Sequence, residues 1–308
     1  MKSIKINFDK ELKNIQNKED IHVIPIFIPH LGCKNECIFC NQRKISGKDK
    51  LIDINSDIDN FLNNFKTKKY TEIAFFGGSF TGLETKLQIE YLKIANTYID
   101  KGLVDGIRLS TRPDYIDCNI LDILKKYNVK TIELGVQSMD NSVLEYSKRG
   151  HSSNDVINAA KLINKYKFNL GFQIMVGLPL STIDKEIMTI KSLIKFKPKV
   201  LRIYPVYVLE ESKLYEKYLN KEYFPLTVEE AVTRTVKIVE ITNKINVNII
   251  RIGLQSSEEI TNKNSKLLGP VSDNFGEYVI ASIMRKKIEN KINKINKINK
   301  INKINKIN

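Results

Sequence analysis

The chain has 308 residues, 42% of them hydrophobic, which is enough for one large domain with a substantial core. Its net charge of +15 is a mild indication of an anionic partner. Four cysteines in this length do not make a disulfide framework, and no apolar run approaches the roughly 20 residues of a membrane-spanning helix, so no membrane partner is expected.

The N-terminal segment, residues 1–20, is charged throughout and has no apolar signal core. We therefore expect a cytoplasmic, reducing location, where clustered cysteines bind metals or take part in chemistry. Cys118 stands apart from the other three cysteines, and we expect it to be a small packed residue.

A short β-rich apolar run followed by a helix-like segment recurs along the chain. This alternation predicts an α/β fold with a parallel sheet, either doubly wound or an open barrel, and chemistry at the carboxyl ends of the strands. The predicted strands are 21–28, 71–78, 106–111, 130–137, 169–179 and 199–208, with a seventh, shorter run at 247–254.

Unusual residues follow these runs directly. The first run ends in a loop that holds Cys33, Cys37 and Cys40, the second ends in Gly77-Gly78-Ser79, and the fifth ends near Gly177. Because loop residues at strand ends need not be packed, such choices indicate a site at one end of the sheet.

Three cysteines on one loop allow several chemistries. With His30 as a fourth ligand they make a Cys₃His zinc site, and Cys37 with Cys40 alone makes a redox pair. A [4Fe–4S] cluster is normally held by four thiolates, so three of them leave one iron open to a substrate or cofactor. The open iron would therefore explain why the loop has three cysteines and not four.

The pattern Cys-x₃-Cys-x-aromatic-Cys, formed by Cys33, Cys37, Phe39 and Cys40, resembles the signature of radical S-adenosylmethionine (SAM) enzymes. The resemblance implies a partial (β/α)₆ TIM-like barrel, a [4Fe–4S] cluster on the three cysteines, and SAM bound to the open iron. It also implies a one-electron donor such as ferredoxin or flavodoxin, and a 5′-deoxyadenosyl radical that takes a hydrogen atom from the substrate.

The resemblance continues from about residue 22 to about residue 230, through "FFGGSFTGL", "IELGVQSMDNSVLEYSKRGH" and "GFQIMVGLP". It implies that Gln137 and Gln173 lie near the SAM ribose, Arg149 at the SAM carboxylate and the Gly177 turn near adenine. At the third strand Ser110 stands where relatives usually carry a ribose-binding acid. The remaining implied contact, with the SAM amino group, is made by Gly77, Gly78 and Ser79.

The stretch from "RIYPVYVLEESKLYEKYL" onward is most similar to the catalytic subunit of elongator, which modifies wobble uridine in transfer RNA. tRNA is thus an implied partner, although residues after 230 are too few for that subunit's acetyltransferase domain. The fourth-strand segment also resembles anaerobic coproporphyrinogen oxidases, so a small molecule such as a tetrapyrrole precursor is the alternative substrate. A non-catalytic iron–sulfur or zinc protein is the alternative of another class.

We divide the chain into an N-terminal segment 1–20, a core domain 21–250, a C-terminal extension 251–285 and a basic tail 286–308. Isoleucines at every third position wind around a helix, so the low-complexity Lys-Ile-Asn repeat of the tail is expected to be disordered or frayed. The tail is interpreted as a solvated appendage, with RNA binding as the alternative. Tyr204, Tyr207 and Gln255 are candidates for lining a substrate space, with plain packing as the alternative.

Overall fold

The computed structural model describes Ile15 and residues 21–28, 33, 36–40, 53–64, 69–210, 212–245, 247–254 and 267–304, the last seven of these by their backbone alone. No helix among these residues has both the length and the apolar character needed to cross a membrane.

Seven parallel strands form one curled sheet, a half-barrel, in the order β1-β2-β3-β4-β5-β6-β8. The predicted partial barrel is thus confirmed, and the seventh run supplies its last strand. These strands are β1 (Ile21–Ile28), β2 (Tyr70–Gly77), β3 (Gly106–Thr111), β4 (Val129–Gln137), β5 (Asn169–Val176), β6 (Val200–Pro205) and β8 (Asn248–Ile252).

The predicted run at 199–208 is interrupted after Pro205. A separate short strand, β7 (Val208–Leu209), pairs antiparallel with β9 (Leu267–Leu268). Proline has no N–H to donate to a sheet ladder, so the strand ends where the sequence places it.

Helices connect the strands on one face of the sheet. Several begin with a side-chain cap: Ser152 and Thr227 each form a full capping box, and Asp117 accepts the N–H of Ile120. The helices are α1 (Ile54–Asn64), α2 (Thr85–Asp100), α3 (Cys118–Lys126), α4 (Asn141–Tyr146), α5 (Ser153–Lys165), α6 (Ile183–Leu193), α7 (Lys213–Leu219), α8 (Val228–Thr242) and α9 (Phe275–Ile304).

The two faces of the sheet differ in chemistry because alternate residues of a strand point to opposite sides. Apolar residues such as Phe75, Leu109 and Phe172 are fully buried in the main core. Charged and polar residues, among them Arg108 and Glu133, occupy the alternate positions. The core therefore lies under the helices, and the opposite, concave face is polar.

The expectation of a disordered tail is wrong for residues 286–304. They continue α9, which begins at Phe275 and packs against α8 through Val279 and Ile283. Once such a packed first half exists, each further residue costs no new nucleus, and the tail contains neither proline nor glycine to stop the helix. The winding apolar stripe is nevertheless real, because Ile288 and Ile292 are exposed.

The packed position expected for Cys118 is also wrong. Cys118 is exposed at the first position of α3, directly after the capping residue Asp117. The apolar positions that follow it, Leu121 and Leu124, are the buried ones. The helix therefore turns Cys118 away from the core.

Candidate active site

The cysteine loop follows β1, and its second half is a tight turn that two neighbouring helices fasten. The N–H of Cys40 donates to the carbonyl oxygen of Cys37 over 3.1 Å. Ile38 is buried; its N–H donates to the carbonyl of Ser147 (3.2 Å), and its own carbonyl accepts from the N–H of Leu214 (2.7 Å). These bonds hold the turn between the end of α4 and the start of α7.

The first cysteine lies against the end of β2. The Sγ of Cys33 is 3.3 Å from the Oγ of Ser79. Gly77 ends β2 with φ +95°, and a Cβ there would lie 3.1 Å from the carbonyl oxygen of Ile28. Only glycine adopts that backbone easily at so close an approach, so Gly77 lets the ends of β1 and β2 meet.

Arg149 joins the cysteine turn to the fourth strand. Its Nη1 donates to the Sγ of Cys37 over 3.1 Å, and its Nη2 donates to the carbonyl of Gly135 over 2.5 Å. Its guanidinium carbon lies 5.9 Å from the centre of the Phe39 ring. The side chain is buried, and its Nε has no hydrogen-bond partner among the described residues.

Gln137 ends β4 with a left-handed backbone, φ +67°, which a residue with a side chain rarely adopts. The Oε1 of its amide is buried and unpartnered within the described part of the chain. Strained backbone of this kind is concentrated at functional sites. The same region holds further buried side-chain atoms without a partner among the described residues: Arg112 Nη1, Ser147 Oγ, Arg149 Nε and His151 Nδ1.

These unpartnered atoms test whether the predicted cofactors fit. A buried polar atom without a partner costs about 1–3 kcal/mol, and a polar ligand would remove that cost. Three cysteines in the loop that follows one strand, with an arginine beside Cys37, suit an anionic cluster and a carboxylate-bearing ligand. The residues present therefore fit the [4Fe–4S] cluster and SAM.

The structure does not gather a metal-binding geometry by itself. Among the residues it describes, no three His, Cys, Asp or Glu side chains converge closely enough to hold a metal ion. The assignment of Cys33, Cys37 and Cys40 as cluster ligands stays a prediction. His30, the fourth ligand of the zinc alternative, lies outside the described residues.

Burial, together with the positive charges of Arg149 and Arg112, lowers the pKa of His151 to about 3. The imidazole is buried, and its Nε2 lies 3.3 Å from the carbonyl oxygen of Val136. His151 is therefore neutral throughout the physiological range and adds no positive charge beside the cysteine turn.

Two of the predicted SAM contacts are engaged within the protein. The hydroxyl of Ser110 donates to the carbonyl of Phe75 over 3.5 Å, at the limit of a hydrogen bond. The amide nitrogen of Gln173 donates to Glu133 Oε2 over 3.2 Å. Both residues lie on the polar face of the sheet.

The turn at Gly177 is fixed from both sides. Its N–H donates to Glu186 Oε1 over 2.9 Å, and its carbonyl accepts from the hydroxyl of Tyr223 over 2.7 Å. Burial raises the pKa of Glu186, although the Gly177 N–H and Arg234 oppose that rise. The turn that was predicted to lie near adenine is therefore held by hydrogen bonds on both sides.

Sequence reasoning missed a buried ion-pair ladder on the same face. Arg108 on β3 bonds Glu72 on β2 (2.7 Å) and Glu133 on β4 (3.2 Å), and Arg202 on β6 bonds Glu133 through both oxygens (2.6 and 3.2 Å). The available signal was one charged residue inside each apolar strand, in "TEIAFF", "GIRLST", "KTIELG" and "KVLRIY".

Comparison with known families matches two parts of the chain. Residues 27–193, more than half of the sequence, match the radical SAM superfamily, and residues 198–286 match the radical SAM C-terminal domain. An uncharacterised protein of Methanocaldococcus jannaschii is 31% identical over 237 residues, which cover 72% of each chain.

Relatives whose names state an activity match over a smaller share of their length. The tRNA uridine(34) acetyltransferase of Methanocaldococcus jannaschii is 35% identical over 127 residues, 40% of this chain and 24% of that protein. Its counterpart in Methanocaldococcus infernus is 30% identical over 181 residues, 52% of this chain and 34% of that protein. The chain thus spans about a quarter to a third of these relatives.

Among solved structures, archaeal Elp3 from Methanocaldococcus infernus superposes with a TM-score of 0.67 at 22% identity, covering 87% of this chain and 63% of that one. Methylornithine synthase superposes with a TM-score of 0.51 at 15% identity, covering 90% and 84%. These likenesses show the fold, and the family match shows which family the chain is part of. The chain belongs to the radical SAM superfamily and is an enzyme.

Proposed function

We propose that the protein binds a [4Fe–4S] cluster through Cys33, Cys37 and Cys40 and cleaves SAM to act on a uridine of tRNA. The observation that carries this proposal is the contact between Arg149 and Cys37, which places a buried cation, hydrogen-bonded to Gly135 of β4, against the cysteine turn. The tRNA part is supported by relatives whose names state tRNA uridine(34) modification.

When bound, the cluster and SAM would supply the radical chemistry, namely reductive cleavage of SAM for hydrogen-atom abstraction from the substrate, with the electron coming from a ferredoxin- or flavodoxin-type donor. The protein's own residues position these groups. The unpartnered Nε of Arg149 is a buried donor for the SAM carboxylate. The amides of Gln137 and Gln173 are the proposed partners of the ribose.

The remaining predicted contacts surround this centre. Gly77, Gly78 and Ser79 line the end of β2 next to Cys33 and are proposed to meet the SAM amino group. The Gly177 turn is proposed to lie near adenine, and Phe39 fills the space under the Arg149 guanidinium. Ile38 of the cysteine turn packs with Val143 and Leu178 in a buried apolar cluster.

Anaerobic reconstitution tests the proposal. The holoprotein should bind close to four irons and form 5′-deoxyadenosine from SAM when a one-electron reductant is present, and tRNA should increase the yield of 5′-deoxyadenosine. Mass spectrometry of tRNA nucleosides from a deletion strain should show a lost uridine modification. Tightly bound zinc without iron would contradict the cluster, and unchanged nucleosides would contradict the tRNA substrate.

A further inference from the structure

The polar face of the sheet holds more positive than negative charge. Across β2 to β8 it contains the carboxylates Glu72 and Glu133 and the guanidinium groups of Arg108, Arg202 and Arg251. Arg202 is the register partner of both Gln173 on β5 and Arg251 on β8, which places the three side chains in one row.

Glu133 is saturated by its arginine partners. It is fully buried, and burial alone would raise the pKa of its carboxyl, but Arg202 and Arg108 hold that pKa below its ordinary value. Gly171 makes this bridge across β5 possible, because a Cβ there would lie 2.8 Å from the Cγ of Glu133. Glu133 therefore compensates the neighbouring arginines within the ladder.

Arg251 is the cation that the ladder does not neutralise. Its Nε donates to the carbonyl of Gly253 over 3.1 Å, and no carboxylate in the described part of the chain lies within salt-bridge distance of its guanidinium. The side chain is half-buried rather than spread in solvent. A partly desolvated cation of this kind favours an anionic ligand.

Two tyrosines and a phenylalanine complete the surroundings of this cation. Tyr204 lies two residues beyond Arg202 on the same face of β6, and Tyr207 lies in the following loop. Burial raises the pKa of both phenols, so each keeps its proton and can donate. The ring of Phe76 lies 4.9 Å from the Arg202 guanidinium carbon and limits where Arg202 can move.

We propose that Arg251, Arg202 and the hydroxyl of Tyr204 bind a phosphate group of the nucleotide substrate inside the half-barrel. A guanidinium meets phosphate oxygens with parallel N–H bonds, and a phenol adds a further donor. The site lies on β6 and β8 and adjoins Gln173 on β5, a proposed ribose contact, so a phosphate bound there would lie beside the SAM site. This inference rests on the proposed function, in that the substrate is a nucleotide.

Binding of uridine 5′-monophosphate (UMP) and of uridine to the holoenzyme tests the site without turnover, by ligand-observed NMR titration. Wild-type protein should bind UMP more tightly than uridine. Arg251→Gln should weaken UMP binding about 10- to 100-fold, the scale of a charged hydrogen bond, and leave uridine binding unchanged. Arg285→Gln removes the same charge from an exposed position on α9 and should change neither affinity.

Three outcomes would overturn the phosphate site: equal binding of UMP and uridine by wild-type protein, unchanged UMP binding in Arg251→Gln, or displacement of UMP by acetate but not by inorganic phosphate. The last outcome would assign the site to a carboxylate instead. Because these measurements use no SAM cleavage, a negative result leaves tRNA-dependent 5′-deoxyadenosine formation as an independent test of the proposed function.

Discussion

Arg149 donates a hydrogen bond from Nη1 to the Sγ of Cys37 across 3.1 Å, although 112 positions separate the two residues in the chain. The second guanidinium nitrogen, Nη2, donates to the carbonyl oxygen of Gly135 at the end of β4. One side chain thus couples the end of β4 to the cysteine turn after β1.

Replacing Arg149 by Gln should lower SAM affinity by about 1.5–3 kcal/mol, the contribution of a charged hydrogen bond, and should leave the iron content unchanged. The turn at Cys37 keeps its backbone bonds to Ser147 and Leu214 in this variant, which is why the cluster should persist. Equilibrium dialysis with SAM and iron analysis measure the two quantities. Arg285→Gln, at an exposed position, is the charge-matched control.

Unchanged SAM affinity in Arg149→Gln would show that the role implied by the fourth-strand likeness is wrong. Loss of iron would show instead that Arg149 stabilises the cysteine turn itself.

Replacing any one of Cys33, Cys37 and Cys40 by Ala should abolish the cluster, because the loop offers three thiolate ligands and each variant would keep only two of them. The measurement is the iron content and the visible absorption of anaerobically reconstituted protein. Cys118→Ala is the matched control: Cys118 is exposed at the start of α3, so its loss should change neither iron nor stability. Cluster loss in the control would identify Cys118 as a fourth ligand.

Most of the fold could be predicted from the sequence because the strands are apolar runs of the right length. β1 and β3 match their predicted bounds, and Gly77 and Gly177 fall at the strand ends as expected. The tail could not be predicted, since its helix depends on the packing of Val279 and Ile283 against α8 rather than on the repeat itself.

The sequence predicted the cysteines and the fourth-strand residues as parts of the candidate site, but it did not predict the buried ion-pair ladder. Arg108, Glu133 and Arg202 lie far apart along the chain, and only the parallel register brings them to diagonal positions on one face of the sheet. Periodicity shows that a charge alternates with apolar residues within one strand. It does not give the alignment between strands that pairs one charge with the next.

Replacing Glu133 by Gln should destabilise the fold by about 3–5 kcal/mol, because two buried arginines would lose their shared counter-charge. Chemical denaturation of the apoprotein measures this free energy of unfolding. Glu145→Gln removes the same charge from an exposed position of α4 and should stay within about 0.5 kcal/mol of wild type. Equal stability of the two variants would mean that the ladder contributes little to the fold.

His151 should make the stability of the apoprotein fall in acid. Its pKa is about 3 when folded and 6.5 in the ordinary exposed state, so the unfolded chain binds an extra proton between these values. Its contribution to the free energy of unfolding is fully present above pH 6.5 and is lost as the pH falls toward 3. The loss is at most about 1.4 kcal/mol per pH unit. His151→Gln should remove this part of the pH dependence, measured as unfolding free energy at pH 7, 6 and 5. The same slope in both proteins would contradict the neutral, buried state.

Ending the chain at Arg285 should leave the fold, the cluster and SAM cleavage intact. Of the removed residues, 286–304 form the second half of α9. Ile288 and Ile292 are exposed there, and the ion pair between Lys286 and Glu240 lies in solvent, where such pairs contribute little. The residues that fix α9 to α8, Val279 and Ile283, remain. Circular dichroism should show a loss of helix without a change in melting temperature.

Binding of tRNA should weaken and lose part of its salt dependence, because eight lysines are removed and fewer counterions are released. A truncated protein that unfolds, or that no longer forms 5′-deoxyadenosine, would show that the repeat packs on the catalytic domain.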